Sequence, residues 1–443
     1  LSARFGFEII ESTEMSESSQ AILDRGHVHS FAPTPTAPRS TAQRPATEIA
    51  ISDDLDALEA EWRRLEAGGD CTVFQSFDWL ATWYRHIGQR QLVTPAVVIG
   101  RRADGQPLFL IPLAVTRGIV RRLTWLGTDL CDYNAPLLAH DFADHVAPAE
   151  FRALWSQICA QLQNSPQHRH DIIDLTKMPV TVGRQDNPFM QLDVGLNPSG
   201  AHLTQLQGTW DEFYQARRSS STRRRDRTKR KRLGEIGEVR FITPQAADDI
   251  ARTMETLIEQ KSKSFAHMGV ANIFTPPGHR DFYFDLATNP RTRHLVHVSR
   301  LEVGSTWAAA NLGLMFGGCY YHVLASYDDG EVSRYGPGAA HLRDLLCYAI
   351  GRGLRCFDFT IGDERYKLEW SDSSISLYDH VTSASARGWP VAALTRGRRQ
   401  VKRLIKQNPM LWKAFSRLRA ALTSKKGAPE DAAESNRPES SAR

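Results

Sequence analysis

Long apolar runs are missing from this 443-residue sequence. The longest, Leu108 to Val115, is interrupted by Pro112, and a membrane-spanning helix needs about eighteen or more apolar residues. Cysteine is sparse: Cys71, Cys131, Cys159, Cys319, Cys347 and Cys356, with no CxxC pair. Zinc-knuckle and dithiol redox motifs are therefore excluded. Six scattered thiols predict reduced core residues in a cytoplasmic protein. No G-x-S-x-G elbow, Walker A loop or G-x-G-x-x-G turn occurs, so hydrolase, NTPase and dinucleotide classes lose their usual support. His168-x-His170 and His294-x-x-His297 lack acidic or cysteine partners at ligand spacing, and no metal is expected. No basic segment precedes an apolar one near the start, so no signal peptide is expected.

What is present fits a globular protein of two or three domains: 41% hydrophobic and 24% charged residues, with 10 Trp, 11 Tyr and 19 Phe. The net charge of +5 hides two basic blocks. Arg217–Arg232 holds eight Arg, two Lys and one Asp, and Arg396–Arg419 holds nine basic residues and no acid. The rest of the chain is acidic. Such blocks either attract polyanions or form solvated helix faces.

Residues 1–46 are rich in Ser, Thr, Pro and Ala and predict a disordered segment, as does the polar tail 425–443. The body between them carries a weak internal repeat. A strand–turn–strand pattern with its turn at Asp104-Gly105 recurs with a turn at Gly304-Ser305. Each hairpin precedes a Tyr/Pro loop, Asp132-Tyr133-Asn134-Ala135-Pro136 or Arg334-Tyr335-Gly336-Pro337-Gly338. A helix follows each loop (149–162, 339–352), then a strand of pattern apolar–Asp–apolar–Thr around Asp174 or Asp358. Front helices fit 54–66 and 79–86 in the first half, 210–234 and 246–265 in the second. The expected fold class is α/β (α+β), two tandem units of mixed sheet flanked by helices. Their bounds are 47–195 and 196–385, with a basic amphipathic helix at 396–422.

Candidate chemistry concentrates between Tyr327 and Trp370. Pro337 and Gly338 open a helix whose N-terminus suits a phosphate or pyrophosphate. The polar run Gly362-Asp363-Glu364-Arg365-Tyr366-Lys367 follows a buried strand and suits a pocket rim, with carboxylates for a base and Tyr or Lys for an acid or anion contact. An ordinary helix start and a solvated loop are the competing readings.

Four segments, taken in order, resemble the Fem-like branch of the GNAT acyltransferase superfamily, in particular the double-domain family labelled CelD-like or BioF-type acetyltransferase domain. They are Phe74-Gln75-Ser76-Phe77-Asp78-Trp79 with Trp83, Trp125-Leu126-Gly127 leading to Asp132-Tyr133, Tyr335-Gly336-Pro337-Gly338, and the Phe357–Lys367 segment. They span roughly residues 50–380. The GNAT signature Q/R-x-x-G-x-G/A is matched by Arg334 to Ala339, except that Pro337 stands where Gly is usual and has no N–H to donate. The first half lacks the glycines and resembles a degenerate copy that shapes the acceptor site.

The resemblance implies tandem GNAT-like units and direct transfer of an acyl group from a thioester, acyl-CoA or acyl carrier protein, to an amine of a sugar, a long-chain base or another envelope precursor. No cofactor would be permanently bound. By residue type and location, the candidates for the base are Asp363 and Glu364 with Asp358 as orienter, and Tyr366 or Tyr335 for proton donor to the leaving sulfur. Arg334, Gly336, Pro337, Gly338, Ala339 and Lys367 would hold the donor, and Asp132, Tyr133, Asn134 and Tyr327 the acceptor. The alternatives are a Fem-like transferase using aminoacyl-tRNA, the one nucleic acid this reading admits, and a non-catalytic partner in exopolysaccharide or lipid biosynthesis. The basic tail adds an expected peripheral contact with anionic membrane at its inner face.

Overall fold

The computed structural model describes residues 47–362 and 364–407, with Lys406 and Gln407 as backbone only. The expected segments 1–46 and 425–443, residues 408–422 of the expected basic helix, and Asp363 lie outside the described residues. The chain divides into two compact units, 1–392 and 393–443. The first unit contains both halves of the repeat.

Its elements, in chain order, are β1 (Glu48–Ser52), α1 (Leu55–Gly68), α2 (Phe77–Trp83), β2 (Thr94–Arg101), β3 (Pro107–Thr116), β4 (Arg122–Trp125), α3 (Pro148–Asn164), β5 (Ile172–Pro179) and β6 (Gly195–Leu196). Then come β7 (Ala201–Gln205), α4 (Trp210–Arg217), α5 (Ser220–Ile236), β8 (Val239–Ile242), α6 (Ala247–His267), α7 (His279–Thr288), β9 (Val296–Val303), β10 (Thr306–Phe316) and β11 (Cys319–Tyr327). The chain continues with α8 (Pro337–Gly351), β12 (Cys356–Ile361), α9 (Arg365–Trp370), β13 (Ser373–Ile375), β14 (Leu377–Ser383) and α10 (Gly388–Gln407). The helix expected over 210–234 is two helices. Ser219 interrupts it as the N-cap of α5, its Oγ accepting from the Thr222 N–H at 3.2 Å.

Two mixed sheets repeat one plan. The first runs β1-β2-β3-β4-β5-β14-β6, with short strands Gly69–Asp70 and Leu137–Ala139 beside β3; the second runs β8-β9-β10-β11-β12-β7-β13. In each, antiparallel hairpins lead to one parallel pair, β4 with β5 and β11 with β12. A parallel pair needs a crossover, which α3 and α8 provide. One strand crosses between the halves: β14 follows β12 and β13 in the chain yet pairs with β5 in the first sheet. Residues 377–383 thus complete the first sheet although chain order puts them in the second half.

The halves also share a core. The rings of Trp79 and Phe282 meet edge-on at 5.0 Å, and those of Phe74 and Tyr321 at 6.1 Å. At Gly278, where φ is +86°, an added Cβ would lie 2.0 Å from the His86 carbonyl oxygen. Only glycine permits that approach of the two backbones. His86 Nε2 and Asp285 add a hydrogen bond at 2.8 Å.

One cysteine expectation is corrected. Cys319 and Cys356 sit opposite each other in the β11–β12 register, Cα atoms 4.6 Å apart, and form a disulfide. Sequence separation alone gave no sign of it, since the parallel register creates the proximity. Cys71, Cys131, Cys159 and Cys347 are free. No described helix is long and apolar enough to cross a membrane.

Candidate active site

Strands β11 and β12 pair only through Cys319↔Cys356, Tyr320↔Phe357 and Tyr321↔Asp358. Beyond Tyr321 and Asp358 their pairing ends, while β12 stays paired with its other neighbour, β7, along its whole length. The parallel pair is thus a fork, closed by the disulfide and open toward α8 and the loop after β12. Asp358 stands where it opens.

Asp358 is fully buried, and its Oδ1 accepts from the Tyr133 hydroxyl at 2.7 Å and from the Thr360 N–H at 2.7 Å. Burial pushes its pKa up to about 7; the two hydrogen bonds oppose the rise and the Asp132 charge adds to it. Burial, then the Asp358 charge, holds the Tyr133 hydroxyl well above its ordinary value, and the same causes in the same order act on Tyr321. Thr360 holds φ +61°, a strained position for a β-branched residue, opposite the register shift where β7 leaves strict pairing. In the first half Lys177, on the equivalent strand β5, has φ +57°. There Asp174 pairs with Arg122 at 3.2 Å instead of a tyrosine.

The first half supplies Tyr133 through a rigid mount. Gln75 donates from Nε2 to the Tyr133 carbonyl at 2.8 Å, and Phe74 packs edge-on against the Tyr133 ring at 5.6 Å. Trp62 donates from Nε1 to the Gln75 carbonyl at 2.8 Å. The Phe74–Trp79 segment is thus buried structure that positions a loop. Asn134, proposed from sequence to meet the acceptor, is fully buried and donates to the Thr176 carbonyl at 3.0 Å, anchoring the loop to β5.

After the fork, Lys367 is buried and its Nζ donates to the Ile361 carbonyl at 2.7 Å and pairs with Glu364 at 3.1 Å. Both groups are engaged with their own loop. Tyr366 packs edge-on against His322 and Phe359, each at 6.3 Å, and burial holds its hydroxyl well above its ordinary pKa. His322 is the first residue of β11 past the paired segment. Burial pushes it down to about 3, so it is neutral near pH 7, as are buried His341 at about 3 and His297 at about 4. Sequence reasoning missed His322 and Tyr321; only the strand pairing puts them at the fork.

At the other end, a short 3-10 turn, Glu331–Tyr335, leads through Gly336, at φ +66°, into α8 with Pro337 in its first turn. Pro337 has no N–H, so Gly338 and Ala339 carry the first-turn amides. Arg334 is exposed, paired with Glu331 at 2.7 Å and stacked over Tyr335. Exposed Tyr327 lies against Gly338, where an added Cβ would be 3.2 Å from its ring. The basic helix α5 passes beside this end. The Lys229 Nζ lies 3.6 Å from where a Gly336 Cβ would stand. Arg225, Lys229 and Arg232 share one helix stripe and all are exposed. Other members of the block serve the fold: Arg223 donates to the Arg218 carbonyl at 2.8 Å, and Arg230 pairs with Asp344 at 2.8 Å.

A separate hollow of about 620 Å³ between α3 and β14, lined by Arg152, Trp155 and His380 among others, contains none of the residues singled out from sequence. Among the described residues no three His, Cys, Asp or Glu side chains are grouped to hold a metal.

Residues 220–368, from α5 to α9, match the family model of the Acetyltransferase (GNAT) domain. Among solved structures, FemX is similar over 78% of this chain and 99% of its own, at 9% identity and a TM-score of 0.53. L-PGS from Bacillus licheniformis aligns over 82% and 100%, at 13% identity and a TM-score of 0.45. A tandem GNAT protein from the clavulanic acid biosynthesis pathway aligns over 77% and 99%, at 12% identity and a TM-score of 0.43. At such identities the FemX likeness is one of fold. No curated protein matches the sequence significantly. Residues 220–368 thus match a GNAT acetyltransferase domain, and the paired sheets of the chain share the fold of FemX.

Proposed function

We propose that the protein moves an acyl group from coenzyme A to an amine, with Asp358 as the base. The reading rests on one observation: a buried carboxylate with a pKa near 7 at the mouth of the β11–β12 fork. A general base works best with its pKa near the working pH. The amine nitrogen attacks the thioester carbonyl and loses a proton to Asp358, the C–S bond breaks, and the sulfur takes the Tyr366 hydroxyl proton and leaves as the thiol; Tyr366 regains a proton from solvent as Asp358 releases its own. No acyl-enzyme is required. Tyr133 orients the base. Asp358 thus takes the role that sequence reasoning gave to Asp363 or Glu364, and the Glu364–Lys367 pair shapes the loop. Tyr335, stacked under Arg334, belongs to the donor end.

The Gly338 and Ala339 amides and the Arg225–Lys229–Arg232 stripe favour a phosphorylated donor. The same stripe supports an aminoacyl-tRNA as the second reading, and acyl carrier protein is the third donor type. The acceptor is an amine of a sugar, a long-chain base or another envelope precursor. Radiolabelled acetyl- and palmitoyl-CoA, incubated with the protein and a cell extract divided into lipid and soluble fractions, test this. Label is expected in an amine product with the parent chain and at least about a hundredfold less with Asp358→Asn. Transfer from charged tRNA alone would move the assignment to the second reading.

A further inference from the structure

The β3–β4 turn, Thr116-Arg117-Gly118-Ile119-Val120-Arg121-Arg122, sets an isoleucine between arginines. Ile119 is 89% exposed while its neighbour Val120 is buried against Ile172, Val381 and Ala392. The exposed tip is therefore held out by a packed base. Beside it begins α10. Arg387 donates to the Ile119 carbonyl at 3.3 Å. The helix start is pinned: the Gly388 N–H donates to the Ser385 carbonyl at 3.1 Å, and Ser385 Oγ donates to Asp171 at 2.7 Å. An added Cβ at Gly388 would lie 1.9 Å from the Asp171 carbonyl oxygen. On this fixed start Trp389 is 67% exposed, beside a shallow hollow lined by the small residues Ser383 to Ala386.

The remainder of α10 has the same chemistry by itself. Leu394, Val401 and Leu404 fall at i, i+7 and i+10, on one face of the helix. Each is more than half exposed. Between Arg396 and Lys406 the sequence places six Lys or Arg and no acid. An apolar stripe with a wholly cationic complement matches one surface: acyl chains below, anionic headgroups around.

We propose that each unit carries its own contact with an anionic phospholipid surface: Ile119 and Trp389 in the first, and the Leu394–Val401–Leu404 face of α10 in the second. Docking needs no acyl donor, so it is measured independently of transfer.

The test is co-sedimentation of the full chain with vesicles of one part phosphatidylglycerol to three parts phosphatidylcholine, or of phosphatidylcholine alone. The protein should pellet with the anionic vesicles, remain in solution with the neutral ones, and be released from the former by half-molar salt. Ile119→Ser with Trp389→Ser should lower the partition at least about tenfold, and Leu394→Ser with Val401→Ser and Leu404→Ser should do the same. All five positions are exposed, and circular dichroism checks that the helix remains. A chain that stays in solution with anionic vesicles overturns the proposal, as does binding that survives both sets of substitutions. Self-association abolished by the same substitutions, without vesicle binding, assigns the face to a second copy and overturns it equally.

Discussion

Tyr133 and Asp358 are 225 residues apart in sequence and 2.7 Å apart in the fold. One lies in the loop after the first parallel strand, the other in the last strand of the second fork. The half without a glycine-rich loop therefore contributes directly to the half that has one, and a site assembled this way requires both. The return of β14 from the second half to the first sheet gives a physical basis for their fixed relation.

Burial raises the Asp358 pKa from an ordinary value of about 3.9 to about 7. A carboxyl raised on folding contributes stability that is complete below about pH 4 and is lost as pH climbs through about 7. Asp358→Asn cannot ionise, and its amide oxygen still accepts from Tyr133. The variant should match the parent in urea unfolding near pH 4 and exceed it by roughly 4 kcal/mol near pH 8. A constant difference between the two pH values would remove the buried charge from the explanation.

The proposed donor contact assigns two roles to the basic helix α5, an exposed stripe that meets the donor and residues that serve the fold. Arg225→Gln, Lys229→Gln and Arg232→Gln together should raise the KM for acyl-CoA by about tenfold or more, with a weaker dependence on ionic strength. Arg223→Gln should instead leave KM unchanged and cost stability of roughly 1 kcal/mol, because its guanidinium caps carbonyls at the α4–α5 junction. Equal KM effects from both variants would return the stripe to an ordinary solvated face.

The repeat was legible in sequence because hairpin, loop, helix and strand each leave a local pattern. Turns such as Asp104-Gly105 and Gly304-Ser305 mark registers that the sheets retain. The return of β14 to the first sheet was not legible, since nothing in residues 377–383 labels the sheet they join. Asp358 was visible as a buried polar residue in an apolar strand, but its partner was not: Tyr133 reads locally as one loop tyrosine. The acidic run after β12 drew the base assignment because polarity is local information, whereas desolvation depends on the whole fold. The disulfide was hidden for the same reason, as the Cys319–Cys356 contact exists only once β11 and β12 pair.

That disulfide closes a loop of 37 residues containing α8. Chain entropy assigns such a cross-link about 4 kcal/mol. Cys319→Ala with Cys356→Ala should lower unfolding stability by an amount of that order, and a dithiol reductant should destabilise the parent but not the variant. Six titratable thiols in the unfolded, unreduced parent would contradict the pairing; four are expected.

The pH–rate profile of acyl transfer tests the role of Asp358 most directly. With acetyl-CoA saturating and the amine fraction from the labelling experiment as acceptor, the acidic limb of the parent should turn near pH about 7. The Tyr133 hydrogen bond lowers the Asp358 pKa, so Tyr133→Phe should move that limb to higher pH while transfer at the alkaline plateau is largely kept. A limb that stays in place in Tyr133→Phe, or that persists in Asp358→Asn with near-parent rates, would show that another group takes the proton.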